Sequence, residues 1–421
     1  MKILKTSLQP YLVVFSAALF FFFEFMQVNS FNALNPGLIH TFHISGAALG
    51  ELSAVYFYAS IIFLFPSGGL IDKYSVRKII IIGMTTLVAC TFCFGMATSV
   101  RQIQYIRFIM GISGCLTLTC AVKLAAQWFS SNQLASIVGL IIALAMCGGV
   151  LSQAPITLLV DRFGWRNALF LDSLLGMFLL LIILYFVKEK TDFVQKKTEN
   201  NKSNQSFLQL LIESSKNAQN WLGGIYSLFM NTPILLLGAM WGNLYLTHTQ
   251  HLNRANAAYV LSMIFIGTFV GAPIIGKISD RLNHRRYPMM FAALLALFTI
   301  LFIMYGGKFS FMGNIALFFC LGFFTSAQIL SYPLIAENNP PFLIASAEGL
   351  AQTLVMCGGL MQPLFGYFLE KHWDHLQINH MPIYSASDYQ HAIMILPIGF
   401  LIAFCAAYCL RQGKSSKTQP T

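Results

Sequence analysis

The chain has 421 residues, of which 57% are hydrophobic and only 10% are charged, and its mean hydropathy is +0.67. This composition excludes an ordinary soluble domain and indicates a polytopic membrane protein that has the lipid bilayer as a partner. The net charge of +11 does not indicate nucleic-acid binding, because the basic residues form no patch interleaved with aromatic residues.

About twelve apolar segments of roughly 18 residues or more follow one another, and we number them span 1 to span 12. A polar stretch, residues 188–221, separates six spans from six. We predict an all-α membrane protein of twelve transmembrane helices in two pseudo-symmetric six-helix bundles. The bundles are 1–187 and 222–421, joined by a cytoplasmic linker. The predicted spans are 11–33, 48–71, 78–98, 102–126, 134–160, 166–187, 222–247, 257–279, 288–306, 311–335, 343–369 and 391–411.

Lysine and arginine are concentrated on one alternating set of loops and at both termini, so we expect both termini to be cytoplasmic. The first apolar stretch has no small-residue cleavage site, and we expect it to be a retained span. All nine cysteines lie in apolar segments, which predicts no disulfide framework. Cys90 and Cys93 have the spacing of a metal or redox pair, but packing thiols are the favoured interpretation.

One eleven-residue stretch occurs twice between apolar segments, as residues 68–78 (GGLIDKYSVRK) and 276–286 (GKISDRLNHRR). Both copies place an aspartate four residues after a glycine, and a basic pair after the aspartate. The pattern resembles the loop signature of the major facilitator superfamily, although Ser75 and Asn283 replace its second glycine. A plain basic turn is the alternative. We predict a cytoplasmic gate in which each aspartate caps a helix or pairs with an arginine, formed by Gly68, Asp72, Arg77, Gly276, Asp280 and Arg285.

A second duplication supports this interpretation, because residues 146–149 in span 5 and 356–359 in span 11 both read MCGG. Small residues let two helices approach closely, and the prolines that follow permit a kink. Simple helix packing is one interpretation. The other is that these helices flex as the two halves rock against each other.

Glu24 lies near the middle of span 1, where a carboxylate is costly unless it is protonated, paired or in contact with water. Resemblance to the superfamily implies that spans 1, 4, 7 and 10 line a central cavity. Glu24 and Gln27, one turn on, are therefore candidates for the substrate or proton site, and a structural acid is the alternative. In span 4, residues 107–114 (RFIMGISG) resemble the fourth-helix signature, and Arg107 is a candidate partner for a buried acid. Lys123 either contacts an anion or extends to the membrane surface.

In the second half, candidate substrate groups lie on spans 7 and 10 and combine aromatic rings with hydrogen-bonding atoms. An interfacial position is the alternative for Tyr245. The histidines fit no zinc-ligand spacing, and no cofactor or metal is expected. The candidates are Trp241, Tyr245, Gln328 and Tyr332.

Several stretches together resemble the phagosomal nutrient transporter (Pht) group of intracellular Gram-negative bacteria. They are residues 23–25 (FEF), 47–59 (AALGELSAVYFYA), 122–129 (VKLAAQWF), 231–233 (NTP), 241–242 (WG), 337–341 (ENNPP) and 384–392 (YSASDYQHA). The resemblance implies a bacterial inner-membrane importer of amino acids, or in some members nucleosides, driven by protons. That group usually has an acid one residue before the alanine-proline of span 5. Gln153 stands there, which puts proton stoichiometry or substrate charge in question.

We therefore predict a monomeric secondary transporter that moves a small polar nutrient, an amino acid in the first instance, by proton-coupled alternating access. A multidrug or metabolite efflux carrier of the same fold is the alternative. An enzyme is not expected, because the sequence contains none of the common catalytic motifs. A membrane receptor is a third possible class. The chain has no recognisable signalling domain, which argues against it.

Overall fold

A computed structural model describes residues 2–189, 207–340, 343–373, 377–378, 381–382 and 384–412. Within these ranges, side chains are described except for residues 2–7, 65–70, 72–73, 131–132, 135, 207–208, 211 and the two short strands.

The described chain is almost entirely helical, and its helices follow the predicted spans. In the first half, spans 1 to 3 are Lys2–Phe42, Gly46–Lys73 and Val76–Met96, span 4 is Val100–Gly114 with Thr117–Trp128, and spans 5 and 6 comprise Ser131–Ser152 and Ala154–Phe186. A short helix, Phe207–Ser215, precedes span 7, which is Ala218–Pro233, Ile234–Trp241 and Gly242–Thr249, and spans 8 and 9 are Arg254–Leu282 and Arg286–Tyr305. Span 10 is Phe311–Thr325, Ser326–Leu330 and Ser331–Glu337, span 11 is Ile344–Cys357, Gly358–Leu360 and Met361–Lys371, and span 12 is Ala386–Ala392 with Ile395–Cys409. Two-residue antiparallel strands, Gln377–Ile378 and Met381–Pro382, pair between spans 11 and 12.

Eleven helical stretches in the described ranges are long and apolar enough to cross a membrane. The longest, Ser136–Phe186, has 51 residues, more than one crossing requires. Gly164 has φ 80° and ψ 159°, which interrupts this helix and separates span 5 from span 6. The prediction of an all-helical membrane protein with about twelve spans is therefore confirmed.

Several spans depart from regular α-helix. Span 7 contains a π-helical segment, Ile234–Trp241, and spans 10 and 11 contain 3₁₀ segments, Ser326–Leu330 and Gly358–Leu360. Span 4 is interrupted after Gly114, and span 5 at Gln153, whose φ and ψ are −86° and −99°. Spans 4 and 10 are thus interrupted in corresponding positions of the duplicated sequence. In spans 5 and 11 the interruptions lie close to corresponding positions but do not coincide. Such irregular turns are common at functional sites of helices.

The first span is longer than the sequence predicted, because its helix continues to Phe42 rather than ending near residue 33. Hydropathy suggested an end there, since Asn29, Asn32 and Asn35 are polar. All three side chains are buried in the protein, so their polarity does not mark the membrane surface.

The contacts of the chain define two compact units. The first unit is Met1–Ser30 with Val55–Gln205, and the second is Phe31–Ala54 with Ser206–Thr421. The helix Phe207–Ser215 lies inside the stretch predicted as a linker, and residues 190–206 lie outside the described residues. The boundaries of the two predicted bundles stay a prediction.

Within the second unit, asparagine side chains bond to the backbone of the π-helical segment of span 7. The Asn32 amide donates to the Leu237 and Gly238 carbonyl oxygens at 2.9 and 3.1 Å. The Asn35 amide donates to the Met240 carbonyl at 2.5 Å. We call Asn32 and Asn35 the asparagine clamp. A π-helical turn disturbs the regular backbone bonding, and the clamp supplies donors to carbonyl groups that no water can reach in the membrane.

A first prediction concerns this clamp. Asn32→Ala removes a side-chain donor from two buried carbonyls, at a cost of about 1–3 kcal/mol in unfolding free energy. We expect a lower melting temperature of the purified protein in detergent. Asn167→Ala is the control, because Asn167 is exposed and donates only to the Phe163 carbonyl one turn earlier. Equal melting temperatures for the two variants would contradict a stabilising role for the clamp.

Candidate functional site

In the first unit, Glu24 is buried and interacts with groups from two other spans. The Tyr56 hydroxyl of span 2 donates to the Glu24 carboxylate. The Arg107 guanidinium of span 4 lies over the Tyr56 ring, 5.2 Å from its centroid, and interacts electrostatically with Glu24. We call Glu24, Tyr56 and Arg107 the acid cluster. None of the three side chains is more than 6% exposed, so charges in this cluster interact more strongly with one another than they would in water.

Two glycines of the RFIMGISG motif explain why span 2 can approach span 4 here. A methyl group on Gly111 would lie 2.2 Å from the Tyr56 carbonyl oxygen, and one on Gly114 would lie 1.9 Å from the Tyr56 hydroxyl. Neither distance is possible, so only glycine fits. The motif thus positions Tyr56, a residue that the sequence analysis did not single out.

A second prediction follows from this fit. Gly114→Ala places a methyl group in the space of the Tyr56 hydroxyl, so the bond to Glu24 breaks and the melting temperature falls. The matched control is Gly139→Ala, since the added methyl would meet no atom within 4 Å in a helix of the same unit. We expect the control to be neutral or slightly stabilising, because alanine favours a helix by about 1 kcal/mol over glycine. A Gly114→Ala protein as stable as this control would show that Tyr56 can move without cost.

Gln27 is buried one turn from Glu24 but has different partners. Its amide nitrogen donates to Asp172 of span 6 at 2.6 Å, and its amide oxygen accepts from the Thr91 hydroxyl of span 3 at 3.1 Å. Asp172 is buried and was not among the predicted site residues. The signal that identified Glu24, an acid inside an apolar segment, is equally present at Asp172.

Gln153, which replaces the acid of the Pht group, donates to the Asn29 carbonyl and the Ser152 hydroxyl.

Lys123 lies away from these groups. Its ammonium donates to the Ile71 carbonyl oxygen near the end of span 2 at 2.9 Å. A cation at a helix C-terminus satisfies carbonyl groups that lack helical partners. A structural contact is therefore shown for Lys123, and contact with a substrate anion stays a prediction.

In the second unit, two of the predicted residues take part in hydrogen bonds among half-buried side chains. The Gln328 amide donates to the Asn231 side-chain oxygen at 3.0 Å, and the Tyr332 hydroxyl donates to the Gln352 side-chain oxygen at 2.7 Å. Glu348 is close enough to interact electrostatically with Tyr332. These groups link spans 7, 10 and 11. We call Asn231, Gln328, Tyr332, Glu348 and Gln352 the polar cluster.

Trp241 and Tyr245 are both fully buried on span 7, rather than at an interface with lipid headgroups. The Trp241 indole donates to the Gln362 carbonyl at 3.1 Å and stacks on Phe365 at 5.0 Å between centroids. Trp241 also lines a cavity of about 250 Å³ in the second unit. Its other lining residues, mostly apolar or aromatic, are Pro36, Ile39, His40, Ile44, Gly46, Leu244, His248, Tyr384 and Tyr389.

The second copy of the predicted gate contains a paired arginine. Arg285 donates to Asp280 at 2.7 Å and to Glu337 of span 10 at 3.1 Å. Partial burial acts to lower the pKa of Arg285, but the two acidic partners raise it overall. Asn283 ends span 8 in the left-handed conformation with φ 48°, which explains how asparagine replaces the signature glycine. The predicted pairing of Asp280 with Arg285 is seen here, and no side chain crowds Gly276.

The first copy is arranged differently. Ser75 caps span 3, and the Glu189 carboxylate accepts from the Ser75 hydroxyl and the Val76 amide, both at 2.6 Å. The Arg77 guanidinium donates to the Leu184 carbonyl. Gly68 and Asp72 fall within 65–70 and 72–73, where the structure describes the backbone only, so their predicted roles stay predictions. A carboxylate at a helix N-terminus is stabilising, and Glu189 supplies one to span 3.

Within the ranges that the structure describes, no group of three or more His, Cys, Asp or Glu side chains could hold a metal ion.

The sequence model of the Major Facilitator Superfamily matches residues 15–363. The chain belongs to this superfamily. It is a membrane transporter rather than an enzyme, and the predicted fold is confirmed.

Relatives within the superfamily share low identity but cover most of the chain. The membrane sensor protein UhpC of Salmonella typhimurium is 23% identical over 379 residues, covering 85% of this chain and 84% of that protein. The probable sulfoacetate transporter SauU of Cupriavidus necator is 20% identical over 375 residues, 84% and 86% of the two chains. Among solved structures, the nucleoside transporter NupG superposes with a TM-score of 0.72 at 15% identity, covering 95% of this chain and 100% of that one. A bacterial homologue of the human lysosomal transporter Spinster, inward-facing and unoccupied, gives 0.75 at 14% identity, covering 97% and 99%.

These similarities establish the superfamily and the fold. The Pht-like branch, the amino-acid cargo, the coupling to protons and the individual site residues stay predictions.

Proposed function

We propose that this Major Facilitator Superfamily transporter moves a small polar nutrient, an amino acid in the first instance, and couples its movement to protons at Glu24. The acid cluster carries this proposal. A carboxylate in the middle of a membrane span is costly, and such residues usually mark ion or substrate pathways. Glu24 is held by a hydroxyl and a cation from two different spans, so its charge affects how three spans pack together.

The coupling follows from the charges in the cluster. Ionised Glu24 attracts the Arg107 guanidinium and accepts from Tyr56, which ties spans 1, 2 and 4 together. A proton on Glu24 removes one negative partner of Arg107, and an arginine in a site of low polarity then favours another anion. The carboxylate of an amino acid is such an anion. Proton binding and cargo binding therefore support each other, which is what coupled transport requires.

The polar cluster of the second unit contains hydrogen-bonding groups of the kind that bind a small polar nutrient. Asn231, Gln328 and Gln352 are amides that both donate and accept hydrogen bonds. Glu348 lies beside Tyr332 and can hold a cationic group such as the amino group of an amino acid.

The names of relatives offer other cargo classes. SauU is a probable sulfoacetate transporter, and a Bacillus subtilis relative is a hexuronate transporter, 22% identical over 62% of each chain. A small organic anion also satisfies Arg107. Efflux is the other alternative, since the multidrug resistance protein Stp of Mycobacterium tuberculosis is 23% identical over 42% of this chain. UhpC is named a sensor, and measurable uptake separates transport from sensing.

We further propose a monomer in a bacterial inner membrane with cytoplasmic termini, on the basis of the loop charges and the Pht resemblance. The two copies of the duplicated turn then lie on the cytoplasmic side. Arg285 bridges the end of span 8 to span 10 through Asp280 and Glu337, and these contacts must break if the spans separate. A gate at this turn is proposed on that ground.

The cargo is identified by the melting temperature of the purified protein with each of the twenty amino acids, common nucleosides, sulfoacetate and hexuronates. A ligand that binds the folded state at 100 times its dissociation constant adds about 2.7 kcal/mol of stability. We expect an amino acid to give the largest increase in melting temperature. An increase with sulfoacetate or a hexuronate alone would replace the amino-acid proposal by the organic-anion alternative.

The third prediction tests coupling with the cargo so identified. Glu24→Gln keeps an oxygen that accepts from Tyr56 but cannot take up a proton. We expect proteoliposomes with this variant to exchange cargo across the membrane and to lose accumulation driven by a pH gradient. Glu213→Gln is the control, because Glu213 is exposed on the helix Phe207–Ser215. Gradient-driven accumulation by Glu24→Gln equal to that of the control would refute coupling at Glu24.

A further inference from the structure

A second buried acid in the first unit is not used by the proposed coupling at Glu24. Asp172 of span 6 is only 3% exposed and lies where three spans converge. Gly176, one turn further along span 6, packs against Phe23 of span 1 and Val88 of span 3. One oxygen of Asp172 accepts from Gln27, and the other, Oδ1, has no hydrogen-bond partner among the described residues.

The surroundings of Asp172 provide no countercharge among the described groups. Its partner Gln27 and the next group along, Thr91, are both neutral. The titratable groups of the packed spans have other contacts: Glu24 is bonded to Tyr56, Cys90 is one turn from Cys93, and Arg166 donates to the Ala97 carbonyl. An ionised carboxylate with an unpaired oxygen in such a place is costly, and protonation of the carboxyl group removes the charge.

Gln27 and Thr91 can satisfy Asp172 in either protonation state. With Asp172 ionised, the Gln27 nitrogen donates to Asp172 and the Thr91 hydroxyl donates to the Gln27 oxygen, as the structure shows at 2.6 and 3.1 Å. Thr91 also lies 2.9 Å from the Leu87 carbonyl oxygen. A hydroxyl has one hydrogen, so it donates to one of these two oxygens at a time.

With Asp172 protonated on Oδ2, the Asp172–Gln27 and Gln27–Thr91 bonds can both reverse. The carboxyl group donates to the Gln27 oxygen, the Gln27 nitrogen, after a flip of the amide, donates to Thr91, and Thr91 donates to Leu87. The Asp172–Gln27 and Gln27–Thr91 bonds have a donor and an acceptor in either arrangement, and Thr91 donates to Leu87 only when Asp172 is protonated. The proton comes from water and returns to water, so no other reactant is needed.

We propose that Asp172 is a second proton-binding site, whose protonation state is transmitted to span 1 by a flip of the Gln27 amide. Gln27 is one turn from Glu24 on the same helix, so the two acids act on the same span. The transport consequence rests on the proposed proton-coupled function, whereas protonation of Asp172 does not.

The fourth prediction tests this site by infrared spectroscopy of the full-length protein in liposomes without cargo. The carbonyl stretch of a protonated carboxyl group is recorded as a function of pH. In a Glu24→Gln background, we expect a band that grows as the pH falls and shifts when aspartate is labelled with carbon-13. We expect its loss when Asp172→Asn is added to Glu24→Gln. The amide that replaces the carboxyl group still accepts from Gln27, so we expect this double variant to fold.

Two results would overturn the assignment. One is a band that the Asp172→Asn change leaves intact or that aspartate labelling does not shift. The other is a band that belongs to Asp172 but keeps the same size at every pH, as for a permanently neutral structural acid. The labelling result stands even if Asp172→Asn fails to fold.

Thr91→Val tests the flip. It removes the hydroxyl that both arrangements use, so we expect the midpoint of the Asp172 titration to move. Thr85→Val is the matched control on the same span, because Thr85 is exposed and its hydroxyl donates to the Ile81 carbonyl one turn earlier. Identical midpoints in the two variants would exclude Thr91 from the network. Because no cargo is present, a failed cargo screen leaves this result intact, and an Asp172 that does not titrate leaves coupling at Glu24 untouched.

Discussion

The hydrogen bond from the Tyr56 hydroxyl to the Glu24 carboxylate exemplifies the constraint on which this structure depends. In a bilayer, polar groups of the chain must find partners within the protein, because water is absent from the hydrocarbon. Glu24 finds its partners in Tyr56 and Arg107. Of the two Asp172 oxygens, one accepts a hydrogen bond from Gln27 and the other has no partner among the described residues. The asparagine clamp meets it for the irregular backbone of span 7. Each solution joins spans that are distant in sequence, so satisfying polar groups also decides how the helices pack.

The same constraint explains which features could be predicted from the sequence. The length of each apolar run predicts a membrane span, and an acid inside such a run stands out in the sequence. The helices, the importance of Glu24 and its interaction with Arg107 could therefore be predicted. Tyr56 was not, because nothing local distinguishes it from other tyrosines until Gly111 and Gly114 bring span 4 against it. The end of span 1 was predicted near residue 33 from the length of its apolar run, whereas the helix continues to Phe42. The clamp asparagines are buried by tertiary contact with span 7, and the hydropathy of the sequence does not predict such a contact.

Duplication in the sequence does not impose identical contacts. The two gate copies share glycine, aspartate and basic residues, yet Ser75 caps a helix in extended backbone while Asn283 occupies the left-handed region. An acid outside the motif serves each copy, Glu189 in the first and Glu337 in the second. The motif thus specifies a tight, basic turn, and the partner is chosen by whichever acid the fold brings near. Sequence alone could identify the turn but not these partners.

Span 1 connects the features described above. It is one continuous helix, Lys2–Phe42, with Glu24 and Gln27 in the first unit and the asparagine clamp in the second. Glu24 and Asn35 are separated by eleven residues, roughly 16 Å along the axis at 1.5 Å per residue. A helix resists stretching and twisting because each displacement strains its backbone hydrogen bonds. A movement of this helix at Glu24 therefore also moves the amides that bond to the π-helical turn of span 7. The helix that carries Glu24 thus also carries the side-chain donors of the π-helical carbonyls, so the proton binding proposed at Glu24 acts on the same element as the asparagine clamp.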